Sequence, residues 1–227
     1  MFDAFLKSLK WLARAVFPQR CVFCRGLVEG NLEFCGVCEQ KFDAVKNKRV
    51  ICFNYGEACF DDCVAMFNYV PPVSNAIRDF KFRNKRSYGA TLAHFISSVI
   101  TESYAAFQID CLMFVPERDK RVKHSEMLAA CVSKSLNIPL VCGLVKLKSN
   151  QKQHKLNLQN RLKNIKGAYD LKEPGIAKGK TILLIDDIVT TGSTLNECAR
   201  ILKLDGASKV LCATIAATAE LKNSIIK

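Results

Sequence analysis

Residues Thr181–Leu195 read TILLIDDIVTTGSTL, an aliphatic run, two adjacent acids, then small hydroxyl residues around one glycine. Ile182–Ile185 has the continuous apolar character of a strand covered on both faces. Asp186 and Asp187 are then expected to be the first residues to emerge at its carboxyl end. Thr190, Thr191, Gly192, Ser193 and Thr194 are expected to form a tight turn opening a helix. Amides at a helix start bind phosphate, and hydroxyls add donors. Two carboxylates beside such a cradle can hold vicinal ribose hydroxyls or a Mg²⁺ ion. The combination describes a site for a ribose 5-phosphate. Two other phosphate signatures, G-x-x-x-x-G-K-[ST] and G-x-G-x-x-G, are absent from the sequence. The plainer alternative is a helix capped by Ser193 or Thr194 with exposed acids ahead of it. It leaves two neighbouring acids at the end of a buried strand without a packing reason.

Working outward, strand and helix patterns alternate from about Cys63. CVAMFNY, DCLMFVP, PLVCG, TILLID and KVLCATIAA read as strands. SNAIRDFKF, GATLAHFISSVITESY, HSEMLAACVSKSL and STLNECARILKLDGA read as helices, the last closed by Gly206. Such alternation predicts an α/β fold, a parallel sheet flanked by helices, with ligand bound beyond the carboxyl ends of the strands. The opening stretch supplies one of those ends.

The amino-terminal part is different. CVFCRGLVEGNLEFCGVC places Cys21, Cys24, Cys35 and Cys38 in two Cys-x-x-Cys knuckles. Two facing knuckles present four thiolates at tetrahedral angles, so a small four-cysteine zinc module is expected at 19–62, with no open coordination position. Gly26 and Gly36 each follow a ligand closely, where a positive φ is often required. Cys52, Cys59 and Cys63 offer three irregularly spaced sulfurs and read as small buried hydrophobes rather than a second metal site. Cys111, Cys131, Cys142, Cys198 and Cys212 fall in apolar runs and read as core. Cysteine pairs of this kind in a long, aliphatic-rich chain point to a reducing compartment.

Residues 1–18 contain Phe2, Phe5, Leu6, Leu9, Leu12 and Val16 at helical spacing, with Lys7, Lys10 and Arg14 elsewhere. A basic amphipathic helix can lie on a membrane surface or dock on its own protein. No run of 18 or more apolar residues suggests a membrane-crossing helix. The net charge of +13 favours polyanionic partners.

With these residues in hand, the chain resembles the ComF family, a competence-associated branch of the type I phosphoribosyltransferases. LLIDDIVTTGSTL resembles the phosphoribosyl pyrophosphate (PRPP) motif of that superfamily. The amino-terminal knuckles, Phe17–Cys21 and the AIRDFKFRNKRSYG segment with Lys81 resemble further parts of the branch. So do Gln153, Leu156, Arg161, Asn164, Gly167, Ala168 and Tyr169. The sequence departs where the family's pyrophosphate loop and following helix stand, reading FVPERDK and RVKHSEM. The resemblance implies a phosphoribosyltransferase-like domain at 63–227. It implies PRPP or a related phosphorylated ribose, with Mg²⁺, on Asp186 and Asp187 and the Thr190–Thr194 turn. Arg118, Lys120 and Arg121 are expected to face the pyrophosphate, with Lys81 a weaker candidate beside the reading of a solvated helix face. His124 is a candidate general base beside the reading of a structural or exposed histidine. His94 and His154 carry no assignment.

The resemblance further implies a cytoplasmic protein handling imported single-stranded DNA in natural transformation. Peripheral inner-membrane contact and protein partners of the DNA-uptake machinery go with that role. An active Mg²⁺-dependent phosphoribosyltransferase of nucleotide metabolism or salvage is the alternative. Two basic clusters suit single strands: the acid-free segment 151–167, and Arg78, Lys81, Arg83, Lys85 and Arg86 with Phe80, Phe82 and Tyr88 interleaved. Solvated helix faces are the bland reading of both.

Overall fold

A computed structural model describes residues 20–28, 34–45, 58–82, 88–117, 123–147 and 167–218. The elements are α1 (Gly36–Val45), β1 (Asp62–Asn68), α2 (Val73–Phe82), α3 (Tyr88–Tyr104), β2 (Cys111–Phe114) and α4 (His124–Leu136). They continue with β3 (Leu144–Lys146), β4 (Tyr169–Leu171), β5 (Thr181–Val189), α5 (Ser193–Leu204) and β6 (Lys209–Ala217). Four strands form a parallel sheet in the order β1-β6-β5-β2. The strands and helices expected from Cys63 onward form as read, with one exception. PLVCG contributes only an isolated parallel bridge from Leu140 to Leu112 at the β2 edge. Two elements were not expected: helix α1 and the antiparallel pair β3–β4, whose strands are three residues each and too short for a period to register.

The central strand explains the architecture. Leu183 and Ile185 pack on one face of the sheet, Ile182 and Leu184 on the other, and all four are fully buried. The first face is covered by α3 and α4 through Leu92, Ile96, Val99, Leu128 and Val132. The second is covered by α5 through Leu195, Cys198 and Leu202, and by Leu144 and Tyr169 of the small hairpin. Parallel sheets need both faces covered, so β5 reads as an unbroken aliphatic run rather than an alternation.

The amino-terminal module is packed into the first of these cores. Phe23 and Phe42 are 4% and 2% exposed. Their rings meet edge-on at 4.8 Å between centroids and touch Phe67 of β1 and Phe95 of α3 at 5.0–6.2 Å. Buried aromatic pairs in this geometry add to their area burial. Helix α2 lies beside this cluster, pinned by Ile77 and Phe80, both fully buried. Its residues Asp79 and Lys81 sit two apart, roughly 200° around a helix, and so point to opposite sides.

The cysteines divide as burial dictates. Cys63, Cys111, Cys198 and Cys212 are buried, in line with their reading as core. Cys131 is half-buried, and Cys142 is exposed: its strand is reduced to one bridge, so the apolar run around it does not enter the sheet. Cys59 is half-buried, and Cys52 lies outside the described residues, as do residues 1–18.

Because the Phe23–Phe42–Phe67–Phe95 cluster joins module to sheet, Phe42→Ala should cost about 3–5 kcal/mol of unfolding free energy. A urea melt would read this as one lowered cooperative transition. Two separated transitions, with the sheet's midpoint unchanged, would show that the cluster does not couple them.

Candidate functional site

The carboxyl end of the sheet carries a cavity of about 430 Å³. Its wall includes Asp186, Asp187 and Ile188 from β5, Val115, Pro116 and Glu117 after β2, and His124 and Ser125 at the start of α4. Lys81 and Phe82 of α2, Lys146 and Tyr169 of the hairpin, and Thr194 of α5 complete it. A small recess adjoins, formed by Asp186 and Ile188–Leu195.

The recess is the turn between β5 and α5. Gly192 caps the helix with φ +75°, a left-handed conformation in which an L side chain is strained. It lets the chain reverse within three residues, so α5 begins directly under the strand end. Thr191 Oγ1 and Ser193 Oγ lie 2.7 Å apart across the turn. The capping residue is therefore Gly192, which has no side chain to cap with, rather than Ser193 or Thr194, and the Ser193 amide donates to Thr191 Oγ1 at 3.4 Å. First-turn amides of an α-helix have no intrahelical carbonyl to bond, and here they border the recess.

The two acids do not emerge from the strand as expected. Strand β5 continues through them to Val189, paired along its length with β6. Asp187 is consequently buried, 6% exposed, and its Oδ2 is 2.6 Å from Lys81 Nζ. Asp186 is half-buried, and one of its carboxylate oxygens accepts a hydrogen bond from the Asp187 amide at 2.9 Å. Burial, reinforced by the Asp187 carboxylate, pushes the Asp186 carboxyl up to about 8. Lys81 thus faces the cavity rather than bulk water, which sequence spacing on an amphipathic helix could not reveal.

Other walls of the cavity also went unread in the sequence. Glu117 Oε1 accepts a 2.6 Å hydrogen bond from the Ser125 amide, placing a carboxylate against the first turn of α4. Lys146 Nζ donates to the Tyr169 hydroxyl at 2.8 Å and lies 4.8 Å from the ring centroid. Burial first, then nearby negative charge, pushes the Tyr169 phenol up, so it stays protonated. Tyr169 could have been noticed as the aromatic ending GAY, but Lys146 carries no local signal. His124 lines the cavity with its ring 5.4 Å from that of Phe80. His94 is exposed on α3 against Phe95.

Arg118, Lys120, Arg121 and His154 lie outside the described residues, as do Arg83, Lys85, Arg86 and 151–166 of the basic clusters. Of the three aromatics interleaved with the second cluster, Phe80 and Tyr88 are buried and cannot stack on a ligand. Phe82 is 81% exposed and lies on the cavity rim.

The second candidate centre lies in the amino-terminal module. The sulfurs of Cys21, Cys24, Cys35 and Cys38 all lie within 4.8 Å of one another. A Zn–S bond of about 2.3 Å in tetrahedral geometry needs sulfurs about 3.8 Å apart, so the donor set fits structural zinc. The first knuckle closes through Cys21 N–H to Gly26 O at 2.8 Å and Gly26 N–H to Cys24 Sγ at 3.4 Å. The left-handed residue there is Arg25, φ +64°, and neither Gly26 nor Gly36 has positive φ. Arg25 adopts it with its guanidinium on Asp79 of α2, 3.1 Å from Nε and 2.6 Å from a terminal nitrogen. In the metal-free cluster the Cys38 amide holds the Cys35 thiol down at about 7, while burial pushes Cys38 up. Zinc binding at that cluster releases protons.

The chain is similar to several known proteins. A family model described as "Phosphoribosyl transferase domain" matches residues 123–226. The chain is 26% identical to Competence protein F of Haemophilus influenzae over 221 residues, 86% of this chain and 95% of that protein. It is 25% identical to DNA utilization protein YhgH of Escherichia coli K12 over 228 residues, 87% and 98% of the two. Among solved structures, the glutamine PRPP amidotransferase of B. subtilis aligns with a TM-score of 0.42 at 21% identity. The alignment covers 57% of this chain and only about a quarter, 26%, of that one.

Metal analysis of the purified chain should return one zinc, lost on Cys38→Ser together with a fall in melting temperature. An unchanged melting temperature after zinc loss would disprove a structural role. The Asp186 carboxyl makes a separate prediction. Its folded pKa lies above its unfolded value of about 3.9, so between pH 4 and 8 the folded state holds a proton the unfolded chain has lost. Stability from this group therefore falls as pH rises through that window. In Mg²⁺-free buffer, Asp186→Asn should therefore gain stability over wild type at pH 8 relative to pH 4.5. Parallel melts at the two pH values check the sign.

Proposed function

The chain belongs to the ComF family of phosphoribosyltransferase-fold proteins, and from that premise we propose that it binds PRPP or a related phosphorylated ribose at the end of β5 and serves in DNA uptake. The observation that carries the reading is one juxtaposition: Asp186 and Thr194 line both the large cavity and the Thr190–Thr194 recess. A ribose 5-phosphate needs those two compartments in contact, a pocket of amides and hydroxyls for the phosphate and carboxylates one ribose away for the diol.

In this reading the Thr191, Ser193 and Thr194 hydroxyls and the first-turn amides of α5 hold the phosphate. Asp186 and Asp187 accept from the ribose hydroxyls. The site's acids form an oxygen-only set that fits Mg²⁺, and the ion would supply charge neutralisation on the pyrophosphate. Lys81, on the opposite wall from the recess-forming turn, is the described cation nearest those acids. Arg118, Lys120 and Arg121 remain proposed pyrophosphate contacts. Zinc is proposed on Cys21, Cys24, Cys35 and Cys38 as a structural ion.

The names of two relatives, a competence protein and a DNA utilization protein, support a role in natural transformation. The excess of positive charge supports contact with imported single-stranded DNA. A cytoplasmic location, with residues 1–18 touching the inner membrane and protein partners from the uptake machinery, belongs to the same proposal. No helix among the described residues is long and apolar enough to cross a membrane. The alternative, turnover as a Mg²⁺-dependent phosphoribosyltransferase, draws on the same cavity. Glu117 argues for binding over turnover: a carboxylate already occupies the α4 start, where a departing pyrophosphate would otherwise find amides.

PRPP with Mg²⁺ at about 100 times its dissociation constant should add about 2.7 kcal/mol to stability, raising the melting temperature by roughly 5–10 °C. Gly192→Val, which forces a branched side chain into a left-handed position, should remove that shift. Retention of a single-stranded oligonucleotide should fall about tenfold or more between 50 and 200 mM salt. No PRPP shift in a folded wild-type protein defeats the pocket assignment, and salt-insensitive retention defeats the phosphate-contact model.

A further inference from the structure

We infer that the Lys81–Asp187 ion pair is a gate that admits a divalent cation and a polyphosphate together and resists either one alone. The inference rests on the proposed ligand and concerns how the site selects it.

The pair is built rather than incidental. Asp187 is buried within a paired strand, its side chain 9% exposed, and the 2.6 Å contact with Lys81 compensates its charge. Lys81 cannot drift away as a surface lysine would. It stands one residue after the fully buried Phe80, on a helix also anchored by Ile77 and, through Asp79, by Arg25. Its side chain is only 27% exposed.

Consider what each ligand does to this pair. A divalent cation alone can replace Lys81 on Asp187. It then leaves the ammonium beside a dication in the cavity, a like-charge contact that low effective dielectric makes unfavourable. A polyphosphate alone can attract Lys81, but it strips Asp187 of its partner and sets two anions side by side. The neutral ribose diol compensates neither group. When cation and polyphosphate arrive together, the cation takes Asp187, the polyphosphate takes Lys81, and every charge keeps a partner. The ion pair therefore couples the two ligands positively, and the coupling is reciprocal. It also sets specificity, since a nucleoside or free ribose has nothing to offer Lys81.

The test measures binding and not turnover. Calorimetric titrations of Mg²⁺ alone, pyrophosphate alone, and pyrophosphate in saturating Mg²⁺ would be run on wild type, Lys81→Met, Lys81→Arg and Asp187→Asn. Circular dichroism and zinc content would confirm folding. In wild type, each ligand should tighten the other at least tenfold. Lys81→Met should bind Mg²⁺ alone at least fivefold more tightly and lose most of the coupling. Lys81→Arg, which keeps the charge, should retain it. Asp187→Asn should bind pyrophosphate alone more tightly than wild type, because Lys81 is released. If Lys81→Met binds pyrophosphate and Mg²⁺ with wild-type coupling, the gate is refuted while the pocket assignment stands. If no variant binds pyrophosphate under any condition, both fall. Should Lys81→Met fail to fold, the Asp187→Asn result decides: unchanged pyrophosphate affinity there also refutes the gate.

Discussion

A carboxylate inside a paired β-strand is an expense that the fold has to cover, and Asp187 is such a carboxylate. Desolvating it would favour protonation or local unfolding unless a cation stands close. Lys81 stands 2.6 Å away because α2 is wedged between the sheet and the amino-terminal module. That wedge has two handles two residues apart: Asp79 on Arg25 of the first cysteine knuckle, and Lys81 on the acid of β5. The module's position, the helix's position and the charge state of the cavity are therefore linked through one short helix. Of the two contacts, the Lys81–Asp187 pair is the more deeply buried, and breaking a buried pair from one side typically costs about 3–5 kcal/mol.

The same constraint separates the two acids chemically. Asp187 has Lys81 beside it, whereas Asp186 is pushed up to about 8 by burial, reinforced by the neighbouring Asp187 carboxylate. A ligand that brings positive charge would draw Asp186 into the ionised form.

How much of this was legible beforehand follows from the range over which each signal acts. The parallel sheet could be read because β5 must be apolar on both faces, and four aliphatic residues in a row leave no other exposed face. The phosphate turn could be read because small hydroxyl residues around one glycine follow the strand directly. The four sulfurs could be read because metal ligation needs the short Cys-x-x-Cys spacing. Each of these is a local requirement. The strand's continuation through Asp186 and Asp187 to Val189 was not legible, because β6 supplies its hydrogen bonds from some thirty residues away in sequence. Nor were Lys146 and Glu117, or the pairing of Lys81 with Asp187, because those partners lie on other elements. The left-handed Arg25 overturned the expectation that Gly26 or Gly36 would carry that angle, and its reason is also distant, a carboxylate on α2. Cys142 looked like core because its neighbours are apolar, but the strand it was assigned to shrinks to a single bridge.

A phosphoribosyltransferase-like fold by itself does not decide between catalysis and binding. What bears on the choice is where the cavity's fixed charges sit. Catalysis of glycosyl transfer gains most from donors preorganised around the leaving pyrophosphate. On the described walls the balance at that end is different: Glu117 satisfies the start of α4, and Lys146 is engaged with Tyr169. The groups arranged around the ribose phosphate, by contrast, are those of a complete cradle, with a glycine-set turn, hydroxyls and helix amides. On the described walls the cavity is therefore asymmetric, with hydroxyls and helix amides at the β5–α5 turn and a carboxylate at the start of α4, and the asymmetry arises from the same helix and strand charges that hold the fold.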